Sequence, residues 1–138
     1  MPGFLSAIAV REVEGDDRKW VLLEDCVYHL KADDGEEFVH APIGFVTDFG
    51  SIPRLLWWVR GLNPTGKLRR AYVIHDKLYQ APVIRTATSA RTCTREEADQ
   101  VLLEASEVLG ANWIQRRMIY RGVRMGGWVA WNAHREPI

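Results

Sequence analysis

The sequence predicts an α+β fold, in which a small antiparallel β-sheet precedes a bundle of three or four helices. Apolar and polar residues alternate before Asp48, as in residues 19–23, which is typical of strands. After Asp48 the apolar residues recur at helical spacing. The charge changes at the same place, because residues 1–48 hold eleven acidic and four basic side chains, whereas residues 49–138 hold seven and fourteen.

The β-rich part is expected to contain several short strands. Residues 19–23 and 26–30 are the clearest, and residues 37–40 and 43–46 are shorter candidates. Residues 32–35 read Ala-Asp-Asp-Gly, which is the composition of a tight turn. We therefore expect a single small sheet in the first third of the chain.

The helical part, residues 49–138, divides at its turn and capping residues. We expect a short helix after Ser51, a second helix over about 68–81 that ends at Pro82, and a polar loop over 85–93. Residues 94–97 fit a capping box for a third helix, which Gly110 ends. Asn112 opens a fourth helix, expected to continue to about residue 125, before two glycines. An antiparallel arrangement of the second and third helices follows from their short connection.

Length and composition exclude several classes of protein. A chain of 138 residues that is 47% hydrophobic suits one domain, residues 1–138, with a core of its own. Its two cysteines, Cys26 and Cys93, cannot supply a disulfide framework and are expected to be reduced packing residues. The sequence has no apolar run of about 18 residues and no basic leader, so we expect neither an integral membrane protein nor a signal peptide.

The strongest chemical signal is the run His75, Asp76 and, one helical turn on, Tyr79. His75 and Tyr79 share a helix face, and Asp76 points about 100° away from them. In an antiparallel pair, Asp99 of the next helix lies at a similar depth and is expected to meet His75. A carboxylate on one imidazole nitrogen leaves the other nitrogen as a general base, and Asp76 is placed to hold a divalent cation. The alternative is a structural polar cluster that joins two helices.

The pattern His-Asp-x-x-Tyr followed by a helical Asp resembles the helix pair of the secreted phospholipase A superfamily. The resemblance covers about residues 71–105. It implies that His75 is the catalytic base, that Tyr79 and Asp99 hold it, and that Asp76 binds Ca²⁺. Oxygen ligands also suit Mg²⁺, and Zn²⁺ is a further candidate if His75 is itself a ligand.

A broader resemblance is to a family of proteins of unknown function encoded by tailed bacteriophages and prophages. Its pattern is similar to Gly-Phe-x-Thr-Asp-Phe-x-Ser-Ile-Pro at 44–53, Ala-x-x-x-His-Asp-x-Leu-Tyr at 71–79, Arg-x-x-Ala-Asp at 95–99 and Tyr-x-x-Val-Arg-x-Gly-Gly at 120–127. The resemblance implies a phage or prophage origin. Asp48, within the first motif, is expected either to join the site, as a cation ligand or as the residue that orients the imidazole, or to cap the following helix together with Ser51.

Two surface features bear on possible partners. Trp57 and Trp58 point in different directions on one helix, so at least one suits a protein interface or a membrane surface unless both cover the sheet. Arg117, Arg121 and Arg124 form a basic stripe at helical spacing. This stripe suits binding to the phosphates of nucleic acid or of anionic lipid. It also suits a solvated face that pairs with the acidic first part of the chain, and we favour this second interpretation.

Two functional hypotheses follow. The first is a cation-assisted hydrolase of the host cell envelope, acting on an ester or amide bond of lipid or peptidoglycan during phage entry or lysis. The second is a non-catalytic structural or adaptor component of the phage tail tip or baseplate, with tail proteins as its partners. Either hypothesis places the protein in the virion or the host cytoplasm, and nucleic-acid binding is the weakest expectation.

Overall fold

The computed structural model describes residues 3–4, 9–13, 16–30, 37–47, 68–133 and 135. The expected turn at 32–35, the helix after Ser51, the tryptophans Trp57 and Trp58, and Asp48 lie outside the described residues. The described part is an α+β structure in which antiparallel strands are followed by three helices, and this confirms the predicted fold class. Within the same residues, no helix combines the length and the apolar content needed to cross a bilayer.

Eight strands form two antiparallel sheets, where the sequence predicted one. One sheet has the order β1-β4-β5-β7-β8 and the other has the order β2-β3-β6. The strands are β1 (Gly3–Phe4), β2 (Val10–Val13), β3 (Asp16–Leu22), β4 (Cys26–His29), β5 (Phe38–Ala41), β6 (Val46–Thr47), β7 (Val83–Arg85) and β8 (Ala90–Thr92). The predicted strands at 19–23, 26–30 and 37–40 therefore correspond to β3, β4 and β5.

Two local predictions in the β-structure are wrong. Residues 43–46 begin with a turn, since Gly44 has φ +88° and the amide of Ile43 donates to Asp25 Oδ1 at 2.7 Å. The polar loop expected over 85–93 is largely the hairpin of β7 and β8. All three side chains of β8 are exposed, so this strand carries no apolar alternation that a sequence pattern would reveal.

The first helix, α1 (Arg69–Gln80), lies at the centre of the described fold and matches the predicted span. Its residues from Ala71 to Asp76 are all buried, as are Leu78 and Tyr79. The helix packs against β4, β5 and the following helix. Burial on nearly every face explains how a helix of moderate length holds polar side chains away from solvent.

The second helix, α2 (Arg95–Val108), begins with the predicted capping box. Thr94 Oγ1 accepts from the amide of Glu97 at 3.1 Å, and Glu97 Oε1 accepts from the amide of Thr94 at 3.4 Å. The apolar side chains Ala98, Val101, Leu102 and Ala105 of this helix are buried in the core, and the helix packs against α1. Gly110 follows with φ +94°, the left-handed conformation that ends many helices.

The third helix, α3 (Trp113–Ala133), runs well past the predicted end near residue 125. It begins with a reciprocal cap, in which Asn112 Oδ1 accepts from the amide of Gln115 at 2.8 Å and Gln115 Oε1 accepts from the amide of Asn112 at 2.9 Å. Gly127 does not break the helix, because there the helix passes directly over the side chains of Tyr79 and Arg95. Tertiary packing thus outweighs the weak helix propensity of glycine.

Candidate functional site

The site is built on a contact between α1 and α2. His75 Nε2 lies 2.8 Å from Asp99 Oδ1, and the two residues are 1% and 0% exposed. The helical periodicity and the capping box that define the two helices also bring these side chains to the same depth. The predicted meeting of His75 and Asp99 is therefore present in the fold.

Tyr79 holds the same carboxylate from one helical turn further along α1. Its hydroxyl donates to Asp99 Oδ1 at 2.7 Å. Its ring also packs on the imidazole of His75, with centroids 4.2 Å apart and planes 45° apart. Tyr79 thus orients both members of the pair, as its position one turn after His75 suggested.

Two arginines complete the shell around Asp99, and neither was among the residues that the sequence predicted for the site. Arg124 Nη1 on α3 lies 2.8 Å from Asp99 Oδ2, and Arg95 Nη1 on α2 lies 3.7 Å from the same oxygen. The position of Arg95 four residues before Asp99 on one helix was a visible signal. Arg124 comes from a third helix, and no local pattern places it there.

The hydrogen bonds to Asp99 decide its charge. Burial by itself raises the pKa of this carboxyl, but donation from His75, Tyr79 and Arg124 outweighs burial, and the pKa lies below the ordinary value of 3.8. The pKa of Tyr79 is raised, first by burial and then by its bond to Asp99. Asp99 is therefore ionised at neutral pH and only accepts hydrogen bonds, while Tyr79 keeps its proton.

The second ring nitrogen of His75 is the one buried polar atom at this site without a hydrogen-bond partner among the described residues. Because an ionised Asp99 can only accept, Nε2 of His75 carries the hydrogen in their bond. In the neutral ring Nδ1 then holds a lone pair. Buried polar atoms are satisfied in the large majority of cases, so an unpartnered one calls for an explanation.

Asp76 has a polar partner on its own helix. Its side chain is 7% exposed, and its Oδ2 accepts from Gln80 Nε2 at 3.2 Å. Gln80 also donates to the carbonyl of Val46 at 3.2 Å. Across the described residues there is no group of three or more histidine, cysteine, aspartate or glutamate side chains arranged to hold a metal ion. Asp48 and Ser51, expected beside Asp76 or at a helix start, lie outside the described residues.

The basic stripe of α3 is divided by the fold. Arg124 turns inward to Asp99, and Arg116, which stands beside the stripe in the sequence, donates to the carbonyl of Ala111 at 2.9 Å. Arg117 and Arg121 are exposed. The expected pairing of this stripe with the acidic first part is therefore wrong for Arg124, whose partner is a carboxylate of α2.

The two cysteines are free and buried, in agreement with the prediction that they are reduced packing residues. Burial raises the pKa of Cys26 to about 12 and that of Cys93 to about 11. Both side chains are therefore thiols at neutral pH, and neither has the thiolate character of a nucleophile.

Together these features define a small α+β protein in which a buried carboxylate, held by a tyrosine and two arginines, fixes one nitrogen of an imidazole. A protein-family model described as "Protein of unknown function (DUF1353)" matches residues 20–123, and the chain belongs to that family. The matched segment contains His75, Tyr79 and Asp99. Comparisons with curated proteins and with solved structures gave no match.

Proposed function

We propose that the protein is a hydrolase in which His75 is the general base and Asp99 its orienting carboxylate. One observation carries the proposal: His75 Nε2 is bonded to an ionised carboxylate, while His75 Nδ1 has no partner among the described residues. A tautomer fixed in this way is the arrangement that general-base catalysis by imidazole requires. Tyr79 and Arg124 are positioning residues, since both act on Asp99.

The proposed step is the attack of water on an ester or amide carbonyl. Nδ1 of His75 accepts a proton from the water as its oxygen forms a bond to the carbonyl carbon. Collapse of the tetrahedral intermediate breaks the bond to the leaving alcohol or amine, and the proton on Nδ1 passes to that leaving group. The charge of Asp99 stabilises the imidazolium that exists between these two transfers.

A divalent cation is part of the proposal, with Asp76 and Asp48 as its ligands and Ca²⁺ as the favoured ion over Mg²⁺ or Zn²⁺. Asp76 suits this role because it directly follows His75 in the chain and keeps some exposure, 7%. Such a cation, when bound, would polarise the carbonyl oxygen. The described residues alone supply too few acidic ligands, so the cation depends on Asp48.

Access to the base is a requirement of the proposal. His75 is 1% exposed, and its Nδ1 is buried. A substrate therefore reaches Nδ1 only if the side chains over it move aside. Carbethoxylation of histidine by diethylpyrocarbonate measures this opening, because the reagent modifies only an imidazole nitrogen that it can reach. The proposal predicts that His75 is modified in the folded protein, more slowly than the partly exposed His40.

The substrate class rests on the phage resemblance of the sequence motifs. That resemblance supports an ester or amide of the bacterial envelope, in lipid or peptidoglycan, with activity during entry or lysis. It also supports location in the virion or in the host cytoplasm. Attachment to tail or baseplate proteins is compatible with catalysis, because a degrading enzyme can act from the tail.

The proposal is tested by hydrolysis assays on phospholipid and on peptidoglycan, with added Ca²⁺, Mg²⁺ or Zn²⁺. His75→Gln and Asp76→Asn are expected to abolish turnover while the thermal melt stays close to that of the wild type for Asp76→Asn. His40→Gln is the matched control, because His40 also pairs with an aspartate but lies at the surface, 3.5 Å from Asp25. Turnover by His75→Gln equal to the wild type would exclude His75 as the base.

The second candidate is a structural or adaptor role in a phage tail tip or baseplate. The complete burial of Asp99 favours it, since this residue joins side chains of α1, α2 and α3 in one polar cluster. On this hypothesis His75→Ala lowers stability by roughly 1–3 kcal/mol and changes no activity. Co-sedimentation with purified virions, together with a histidine that diethylpyrocarbonate cannot reach, would favour this role over catalysis.

A further inference from the structure

The outward face of α3 carries large apolar side chains in solvent. Met125 is 80% exposed, Ile114 is 60% exposed and Trp128 is 54% exposed. Trp113 and Val129, at 62% and 58%, border the same face. Single exposed apolar residues are ordinary, but a set that shares one helix face marks an interaction surface.

Helical geometry makes this set continuous. At 100° per residue, Ile114, Arg117, Arg121, Met125 and Trp128 fall within a sector of about 80°, opposite the buried side chains of the helix. The face extends roughly 20 Å from Ile114 to Trp128 at 1.5 Å per residue. We call these five residues the α3 outer face.

The charge of the α3 outer face is entirely positive. The sequence of α3 contains four arginines and no aspartate or glutamate. Arg124 and Arg116 are directed to Asp99 and to the carbonyl of Ala111, which leaves Arg117 and Arg121 on the outer face. The Arg117 guanidinium also lies over the Trp113 ring, 5.2 Å from its centroid.

We propose that the α3 outer face docks on an anionic lipid bilayer surface. Apolar side chains interleaved with arginine suit this boundary, where tryptophan and methionine enter the acyl region and guanidinium groups meet lipid phosphates. A second copy of the chain suits the face less well, because symmetric pairing of two such faces brings Arg117 and Arg121 of both copies together. Nucleic acid suits it less well because the apolar side chains have no counterpart on a phosphate backbone.

This inference is independent of the proposed hydrolase. The α3 residue that packs on the site is Trp131, whose ring meets Tyr79 edge-on with centroids 5.3 Å apart, and Trp131 falls outside the sector of the α3 outer face. None of the five residues of the α3 outer face belongs to the cluster around His75 and Asp99. Docking is therefore measurable without any assay of activity.

The test is co-sedimentation of the full chain with large vesicles of phosphatidylglycerol and phosphatidylcholine in equal parts, and with vesicles of phosphatidylcholine alone. We expect the protein to bind the anionic vesicles, and to bind the neutral vesicles at least about tenfold more weakly. The double substitution Arg117→Glu and Arg121→Glu is expected to weaken anionic binding by at least about tenfold. Met125→Ser tests the apolar component in a separate variant, with a smaller expected loss of about threefold or more.

The matched control is Ile43→Ser, which removes a comparably exposed apolar side chain, 64% exposed, far from α3 in the sequence. This variant is expected to bind the anionic vesicles as the wild type does. The inference is overturned if the wild type binds neither kind of vesicle, or if the arginine and methionine variants bind like the wild type. It is also overturned if Met125→Ser abolishes a concentration-dependent dimer, which would assign the face to a second copy.

Discussion

The substitution Asp99→Asn isolates the carboxylate that joins three helices. The side chain keeps its size but loses its charge, and its amide group presents hydrogens where Asp99 accepts from His75, Tyr79 and Arg124 at 2.7–2.8 Å. At least one of these donors is then left without an acceptor. The substitution therefore tests whether the cluster is a main source of stability.

The expected cost follows from the partners that are lost. A hydrogen bond to a charged group contributes about 1.5–3 kcal/mol, and removal of one member of a buried pair costs about 3–5 kcal/mol. Arg124 is 32% exposed, so solvent screens its ion pair with Asp99 and reduces the contribution of that pair to stability. We expect Asp99→Asn to lower the free energy of unfolding by about 3 kcal/mol, a large part of the roughly 5–15 kcal/mol of a typical domain.

Urea denaturation followed by tryptophan fluorescence measures this loss. With a typical dependence of the unfolding free energy on urea concentration, a loss of about 3 kcal/mol lowers the urea midpoint of unfolding by roughly 1–2 M. Glu107→Gln, an exposed carboxylate on the same helix, is the control and should change stability by less than about 0.5 kcal/mol. A loss below about 1 kcal/mol for Asp99→Asn would refute the assignment of Asp99 as the centre of the cluster.

Three further predictions concern the surroundings of this cluster. In urea denaturation, Gly127→Ala should destabilise the protein by about 1–3 kcal/mol, because the added methyl group meets the side chain of Tyr79. Gly126→Ala has open space around the added methyl group and should stabilise the protein by about 0.5–1 kcal/mol. Equal effects of the two substitutions would contradict the close approach of α3 to Tyr79. Thr94→Ala, which removes the capping hydroxyl of α2, should lower the thermal midpoint by an amount equivalent to about 1 kcal/mol, and no change would contradict the cap. The pKa of Asp99 is lowered on folding, so the ionised carboxylate contributes its full stabilisation above the unfolded pKa, and this contribution disappears as the pH falls through the lower folded pKa. The stability difference between the wild type and Asp99→Asn should therefore shrink from about pH 5 downwards. A difference that grows on acidification would contradict the lowered pKa.

The sequence predicted the parts of the fold that depend on local signals. Helical spacing and the Thr94 capping box placed α1 and α2 correctly, and the depth of each residue along its helix then placed Asp99 opposite His75. Both steps use distances along one or two helices. The same reasoning placed Tyr79 in the site, because its position is fixed by one turn of α1.

The parts that the sequence did not predict depend on contacts between distant segments. Arg124 belongs to the site only because α3 crosses α2, and its spacing alone assigned it to a surface stripe. Position 127 lies inside a helix at a point where the side chain of Tyr79 leaves no room for a residue larger than glycine. The strand β8 is an edge strand with exposed side chains, and its pairing with β7 is invisible to a test for apolar alternation.

The state of the two ring nitrogens of His75 tests the central claim most directly. Long-range ¹H–¹⁵N correlation spectra of the ¹⁵N-labelled protein, assigned with the His75→Gln variant, report which nitrogen carries the hydrogen in the neutral ring. The arrangement around Asp99 predicts a hydrogen on Nε2 and a bare Nδ1. A hydrogen on Nδ1 would contradict it, because the imidazole would then present no base to a substrate.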